Sequence, residues 1–263
     1  MKVLIVYAHP EPTSLTRQLV DVTAEALSAA GHTVIHSDLY GMKWKAVYDA
    51  DDFPVRDNPE RLSFIMESGH AYGNGHQTPD VIAEQQKLLA ADAVVLQFPL
   101  WWYGVPAILK GWIERVYAFG FAYGYQNGSN QFRFGEGILK GKRALVNVQA
   151  GGPVADYGPR GINGPIEQLL FPLTHGALFL PWHGRAPDAR GLWRGSRFHG
   201  GGSRGDQGSM ACASRRSIHR HANSLPVAKT AATSPIATPW PTTLRRAKPA
   251  STRTLPIWST HKE

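Results

Sequence analysis

A chain of 263 residues has room for one large domain or a domain with an appendage, and its single cysteine, Cys212, excludes an intrachain disulfide and a cysteine-rich metal site. No run of about 18 apolar residues points to a membrane-spanning helix, and Met1-Lys2 leads into an apolar run without a signal-peptide cleavage pattern, so a reducing, cytoplasmic setting is expected. The net charge of +8 invites a nucleic-acid or membrane partner, yet residues 1–183 carry 14 Lys and Arg against 17 Asp and Glu, while residues 184–263 carry 14 against 3. Neither nucleic acid nor membrane insertion is therefore expected of the first part.

In chain order, residues 2–8 form a continuous apolar run, as in a parallel strand buried on both faces. From about Ser14 to Ala30 the period is helical, with Leu15, Leu19, Val22, Ala26 and Leu27 on one stripe and Gly31 as the stop. Residues 33–37 read as a second strand, and 39–75 as a long polar excursion. Its acidic stretch, Asp49 to Asp52, reads as a solvated loop with capping duty. A helix over 79–90 leads into a third strand, 93–98, and a further helix runs from 106 to about 118. Residues 143–149 make a fourth strand, 164–173 a helix, and 176–180 the start of a fifth strand. Alternating strands and helices predict a doubly wound, five-stranded parallel α/β sheet, whose ligands lie beyond the carboxyl ends of its strands.

From about Arg185 the composition changes. Leu, Ile, Val and Phe make up 9 of the last 80 residues, fewer than a packed core needs. Arg, Ser, Thr, Pro, Ala and Gly dominate without a period of 2 or 3.6. Two domains of sequence result: 1–183, able to fold, and 184–263, a basic tail of low order. A change of reading frame near residue 181 accounts for the break; a genuine basic tail is the rival reading.

Three loops follow strands one, three and four. The first runs from Ala8 to Thr16 and offers hydroxyls beside a helix N-terminus, suited to a phosphate; the plain alternative is a helix cap. It lacks the Walker pattern, which argues against nucleoside triphosphate hydrolysis. The second runs from Gln97 to Pro106 and sets Trp101, Trp102 and Tyr103 side by side, suited to a flat ligand or to a core or subunit plug. The third, Gln149-Ala150-Gly151-Gly152-Pro153, permits close backbone approach to a ligand, or makes a simple turn. Their common position after three strands favours a ligand site.

The runs VLIVYAHPEPTSLT and QFPLWWYGVPAILKGWIERVYAFGFAYGY, with the Gly151-Gly152 loop, resemble the NAD(P)H:quinone oxidoreductase (DT-diaphorase-like) family, flavodoxin-like in fold, over residues 1 to about 181. The resemblance implies an NAD(P)H dehydrogenase (quinone), a flavoprotein performing two-electron hydride transfer by a ping-pong mechanism through one shared pocket. It also implies a homodimer, NAD(P)H as co-substrate and a quinone as acceptor. FAD is expected rather than FMN, because in the family the long segment after strand two contacts the adenine end.

His9, Ser14, Leu15 and Thr16 would hold the flavin pyrophosphate region. Pro99, Leu100, Trp102 and Tyr103 would line the ring, with Gln149, Ala150, Gly151 and Gly152 at its polar edge. Tyr123 and Tyr125 would reach over a substrate pocket, that of the partner subunit. Tyr157 would sit near flavin N1, and Asn163 stands where the family typically carries a histidine. An asparagine cannot take up a proton, so the resemblance implies a tyrosine–amide pair that acts by hydrogen bonding. A regulatory flavoprotein accessory to a potassium-efflux transporter is the alternative within the same family.

Overall fold

The computed structural model describes residues 1–126, 129–132 and 137–181, with side chains omitted over 125–132. Four parallel strands, β1 (Lys2–Tyr7), β2 (Thr33–Asp38), β3 (Ala93–Pro99) and β6 (Arg143–Gln149), pair in the order β2-β1-β3-β6. Their registers place Tyr7 beside Asp38 and Gln97, and Gln97 beside Asn147, at the carboxyl edge. A two-stranded antiparallel pair, β4 (Gly124–Gln126) and β5 (Ser129–Phe132), stands apart from this sheet.

Alternation along the strands divides the core in two. Leu4, Val6, Val94, Leu96, Phe98, Val146 and Val148 face one layer. There they meet Val81 and Leu88 of α3 (Pro79–Ala90), and Leu109, Trp112 and Val116 of α4 (Ala107–Val116). Val3, Ile5, Tyr7 and Val95 face the other, against Val20 and Leu27 of α1 (Leu15–Ala29). Because both faces are covered, β1 is apolar from Val3 to Tyr7 and β3 is apolar but for Gln97; each fully buried Leu or Ile contributes about 1.5–3 kcal/mol.

Buried polar groups tie the layers together. The Glu84 carboxylate, fully buried on α3, accepts from Ser37 Oγ (2.7 Å) and Trp112 Nε1 (2.8 Å) and pairs with Lys87 Nζ (2.6 Å). Arg115 of α4 donates to Asp52 (2.5 Å) and Asp80 (2.7 Å), its guanidinium 4.4 Å from the Trp44 ring centroid. α4 also lies close to the segment before it: a Cβ on Gly111 would stand 2.0 Å from the Ala46 carbonyl oxygen.

Three expectations need correction. The predicted fifth strand over 176–180 is helical: α5 (Ile166–Leu169) is followed by a π-helix, Pro172–Phe179. A five-residue apolar run fits either state. Here, at four-residue spacing, Phe171 stacks on His175 (4.7 Å) and Phe179 packs against it at a tilt (5.4 Å), while Leu173, Thr174 and Leu178 are buried. The parallel sheet therefore has four strands among the described residues.

The polar excursion contains α2 (Phe64–Asn74), closed by Gly75 at φ 71°. Its Phe64, Ile65 and Met66 are exposed and only Glu67, Ser68 and Ala71 are buried, so no apolar stripe announces the helix. Finally, the acidic stretch is not wholly solvated. Asp49 caps a 3₁₀ turn, Ala50–Asp52, but Asp52 is buried against Arg115. The expected basic tail, 184–263, lies outside the described residues.

Candidate active site

β1 continues one residue past its end, where the Ala8 N–H donates to the Gln97 carbonyl (3.2 Å). The chain then turns away. The Glu11 N–H donates to His9 Nδ1 (3.0 Å), which leaves the ring's proton on Nε2 in the neutral form. Glu11 in turn accepts from Thr13 N (2.9 Å) and Thr13 Oγ1 (2.7 Å), and these bonds hold its carboxyl below the usual carboxylate range. Ser14 is the N-cap of α1, its Oγ accepting from the Arg17 N–H (3.2 Å). The cap does not exhaust the helix terminus: the Leu15 and Thr16 N–H groups have no intrahelical acceptor in any α-helix. With the dipole's positive end behind them, these groups suit an anion.

The loop after β3 is strained. Trp102 (φ 49°) and Tyr103 (φ 60°) both lie in the left-handed region, which large side chains avoid. They form the corner of a tight turn closed by paired bonds, Trp101 N to Gly104 O (3.2 Å) and Gly104 N to Trp101 O (3.1 Å). Such turns ordinarily carry Asn-Gly. Trp102 is 97% exposed, Tyr103 50% and Trp101 40%, so the turn holds three aromatic faces out of the core. Pro99 is buried beneath them, and Leu100 packs on the core while its N–H donates to the Gln149 carbonyl (2.7 Å).

The loop after β6 begins with buried Ala150 and exposed Gly151, where a Cβ would meet nothing within 4 Å. At Gly152 a Cβ would stand 3.2 Å from the Tyr157 ring, so this glycine lets the 3₁₀ turn Val154–Tyr157 fold back on the loop. Gly161 is hemmed in by the Asp156 carbonyl, 2.2 Å from a would-be Cβ. The Asn163 N–H bonds to the same carbonyl (2.9 Å).

Contacts between the loops bring them together. His9 of the first packs on Trp101 of the second (ring centroids 5.7 Å). The second joins the third through Leu100 N to Gln149 O, and again through Tyr103 OH, which donates to Asn163 Oδ1 (3.0 Å). His9, Ser14, Leu100, Trp102, Tyr103, Ala150, Gly151, Gly152, Tyr157 and Asn163 thus lie in the three loops, and Leu15, Thr16, Pro99 and Gln149 lie at the ends of the elements that flank them, at one edge of the sheet. Tyr123 takes no part in these contacts. It packs edge-on against Phe119 (5.6 Å), and burial raises its pKa. Tyr125 lies in β4, and its side chain is outside the described residues.

Sequence reasoning passed over an amide row behind the loops. Asn147 Nδ2 donates to Gln97 Oε1 (2.6 Å) and Gln149 Nε2 to Asn147 Oδ1 (3.1 Å). Only the in-register pairing of Gln97 with Asn147 could have signalled it.

A family model described as flavodoxin-like fold matches residues 1–180. The chain belongs to the flavodoxin-like family. Among similar proteins is the ribosyldihydronicotinamide dehydrogenase-like protein traD of Penicillium crustosum, 50% identical over 184 residues, with 69% of each chain covered. Human ribosyldihydronicotinamide dehydrogenase [quinone] is 42% identical over 67% of this chain and 75% of its own. Rat NAD(P)H dehydrogenase [quinone] 1 is 39% identical over 67% of this chain, and the match spans 63% of the rat protein. The crystal structure of a putative quinone reductase from Klebsiella pneumoniae matches with a TM-score of 0.75 at 44% identity, covering 86% of both chains. An NAD(P)H:quinone oxidoreductase from Methanothermobacter marburgensis gives 0.59 at 25% identity, covering 86% of this chain and 99% of its own.

Proposed function

We propose that this chain is a flavin-dependent NAD(P)H:quinone oxidoreductase. The observation that carries the reading is the convergence of three loops, from three adjacent strands, on one edge: a helix N-terminus for an anion, exposed aromatic faces for a flat ring, and a glycine backbone open at Gly151. A flavin needs these three things in this order along its length. The family's relatives named as quinone dehydrogenases support the same reading. When bound, the flavin supplies two-electron hydride chemistry, accepting from the nicotinamide and giving to the quinone.

The protein's own groups bind and orient. Leu15 and Thr16 N–H, beside His9 and Ser14, would hold the pyrophosphate region. Trp102 and Tyr103 would lie along the ring with Leu100 and Pro99 beneath, and the backbone of residues 149–152 would meet its polar edge. Tyr157 and Asn163 would place hydrogen-bond donors where negative charge gathers in the transition state.

FAD rather than FMN belongs to the same proposal, supported by the length of the ordered segment between β2 and α3, which includes α2. So do a cytoplasmic location and a homodimer in which Tyr123 and Tyr125 serve the partner's pocket. Exposed Phe64, Ile65 and Met66 on α2 support the dimer. The test is the absorption spectrum of the purified protein, identification of the released flavin, and quinone reduction driven by NADH, NADPH or dihydronicotinamide riboside. A yellow protein that turns over with at least one donor is expected. A folded, colourless protein that takes up neither FAD nor FMN overturns the reading.

A further inference from the structure

We infer that Tyr103 is a positioning residue for Asn163, fixing which end of that amide is offered to the bound ring and substrate. The inference rests on the flavin reading and deepens it at one residue pair. An asparagine amide is nearly symmetric in shape but opposite in function at its two ends, one accepting and the other donating two hydrogens. A freely turning Asn163 would spend part of its time with the carbonyl facing the ligand. That orientation would repel the negative charge the site has to stabilise.

The Tyr103 hydroxyl removes the ambiguity. It donates to Asn163 Oδ1 at 3.0 Å, so the carbonyl end is engaged by the protein, which would leave the Nδ2 end for the bound ring and substrate. The reverse pairing, amide N–H to phenol oxygen, is weaker on both counts, because a phenol is the better donor and an amide carbonyl the better acceptor. Both partners are held from behind. The Tyr103 backbone sits in the left-handed region inside the turn closed by Trp101 and Gly104. Asn163 is pinned by its N–H bond to the Asp156 carbonyl (2.9 Å), in a turn where Gly161 has no room for a Cβ. With both backbones fixed, only side-chain torsions remain to be set, and the Tyr103–Asn163 bond sets them. Besides presenting aromatic faces, the strained corner therefore aims the phenol at a residue 60 positions further along.

The experiment compares the purified holoprotein with Tyr103→Phe, Asn163→Ala and the double variant. Each is followed by flavin content, kcat and KM for the quinone, and the flavin midpoint potential. Tyr103→Phe is expected to keep its flavin, lose about tenfold in kcat with KM little changed, and shift the potential downward, because the reduced ring loses an oriented donor. In the Asn163→Ala background the same change should cost nothing further. Asn163→Asp should fall at least as far as Asn163→Ala, since Tyr103 can still donate to a carboxylate but no amide N–H remains. If Tyr103→Phe costs the same factor with and without Asn163, or leaves kcat and potential unaltered, the positioning role is overturned while the flavin reading stands. A wild-type protein without flavin or turnover overturns both.

Discussion

His36 shows how one side chain's surroundings become a pH dependence. It lies on β2 with its ring edge-on to Tyr7 (6.0 Å), near Arg17 and Lys87. Burial, then the positive charge of Arg17, pulls its pKa below the ordinary value of 6.5. The folded chain thus binds a proton at His36 less readily than the unfolded chain does. Its contribution to stability is present above about pH 6.5 and is lost as the pH falls through the lower folded value. Urea midpoints measured from pH 7.5 down to pH 5 should decline across this window, and His36→Gln should decline less steeply. Parallel slopes for the two proteins would assign the loss to other groups. Asp80 acts further down the scale. Burial raises its pKa, but hydrogen bonds from Thr78 and Arg115 outweigh that and leave it below the usual range. Its share of stability is therefore lost only below the ordinary carboxylate value, outside the His36 window.

At the scale of the element, the turn after β3 stores strain for the sake of shape. Left-handed backbone at a large residue costs about 1–3 kcal/mol, and Trp102 gains little packing in return, being 97% exposed. Trp102→Gly is therefore expected to exceed Trp102→Ala in stability by about 1 kcal/mol in the flavin-free protein, although glycine is ordinarily the less stable choice. Both variants should bind flavin more weakly than wild type. Chemical denaturation and flavin titration of the pair decide it; an alanine variant as stable as the glycine one would mean the turn is unstrained.

This turn also marks where sequence reading stops. β1 and β3 were legible because strands buried on both faces must be almost wholly apolar, β6 because Ala144 to Val148 is apolar but for Asn147, and α1 and α4 because a helix covering a sheet shows its stripe. The positions of the three loops followed from those strands. The left-handed corner was hidden, since Trp-Trp-Tyr-Gly carries no Asn-Gly signal. The Tyr103–Asn163 bond joins residues that only the folded sheet brings together. α2 was hidden for the opposite reason: its first residues expose Phe64, Ile65 and Met66, so the apolar pattern that betrays a buried face is inverted. The apolar run 176–180 misled because its helical partners, Phe171 and His175, lie upstream of it.

For the whole molecule, the decisive fact is that no single segment contains the site. Its parts come from residues 9–16, 99–104 and 149–163, and they meet only when β1, β3 and β6 lie side by side. A ligand held by all three binds the folded chain and has nothing comparable to bind in the unfolded one. Its binding energy then appears directly as stability, by about 2.7 kcal/mol at a hundred times its dissociation constant. For a folded unit of this size that corresponds to a rise of roughly 5–10 °C in Tm. The flavin-free protein heated with excess FAD should show such a rise. FMN should give a smaller one if the β2–α3 segment holds the adenine end, and AMP alone should compete with FAD but not with FMN. Equal shifts from FAD and FMN would remove the adenine contact while leaving the ring site intact. The absence of any shift would mean that the loops, though assembled, do not act together on one ligand, and the convergence on which the functional reading rests would lose its meaning.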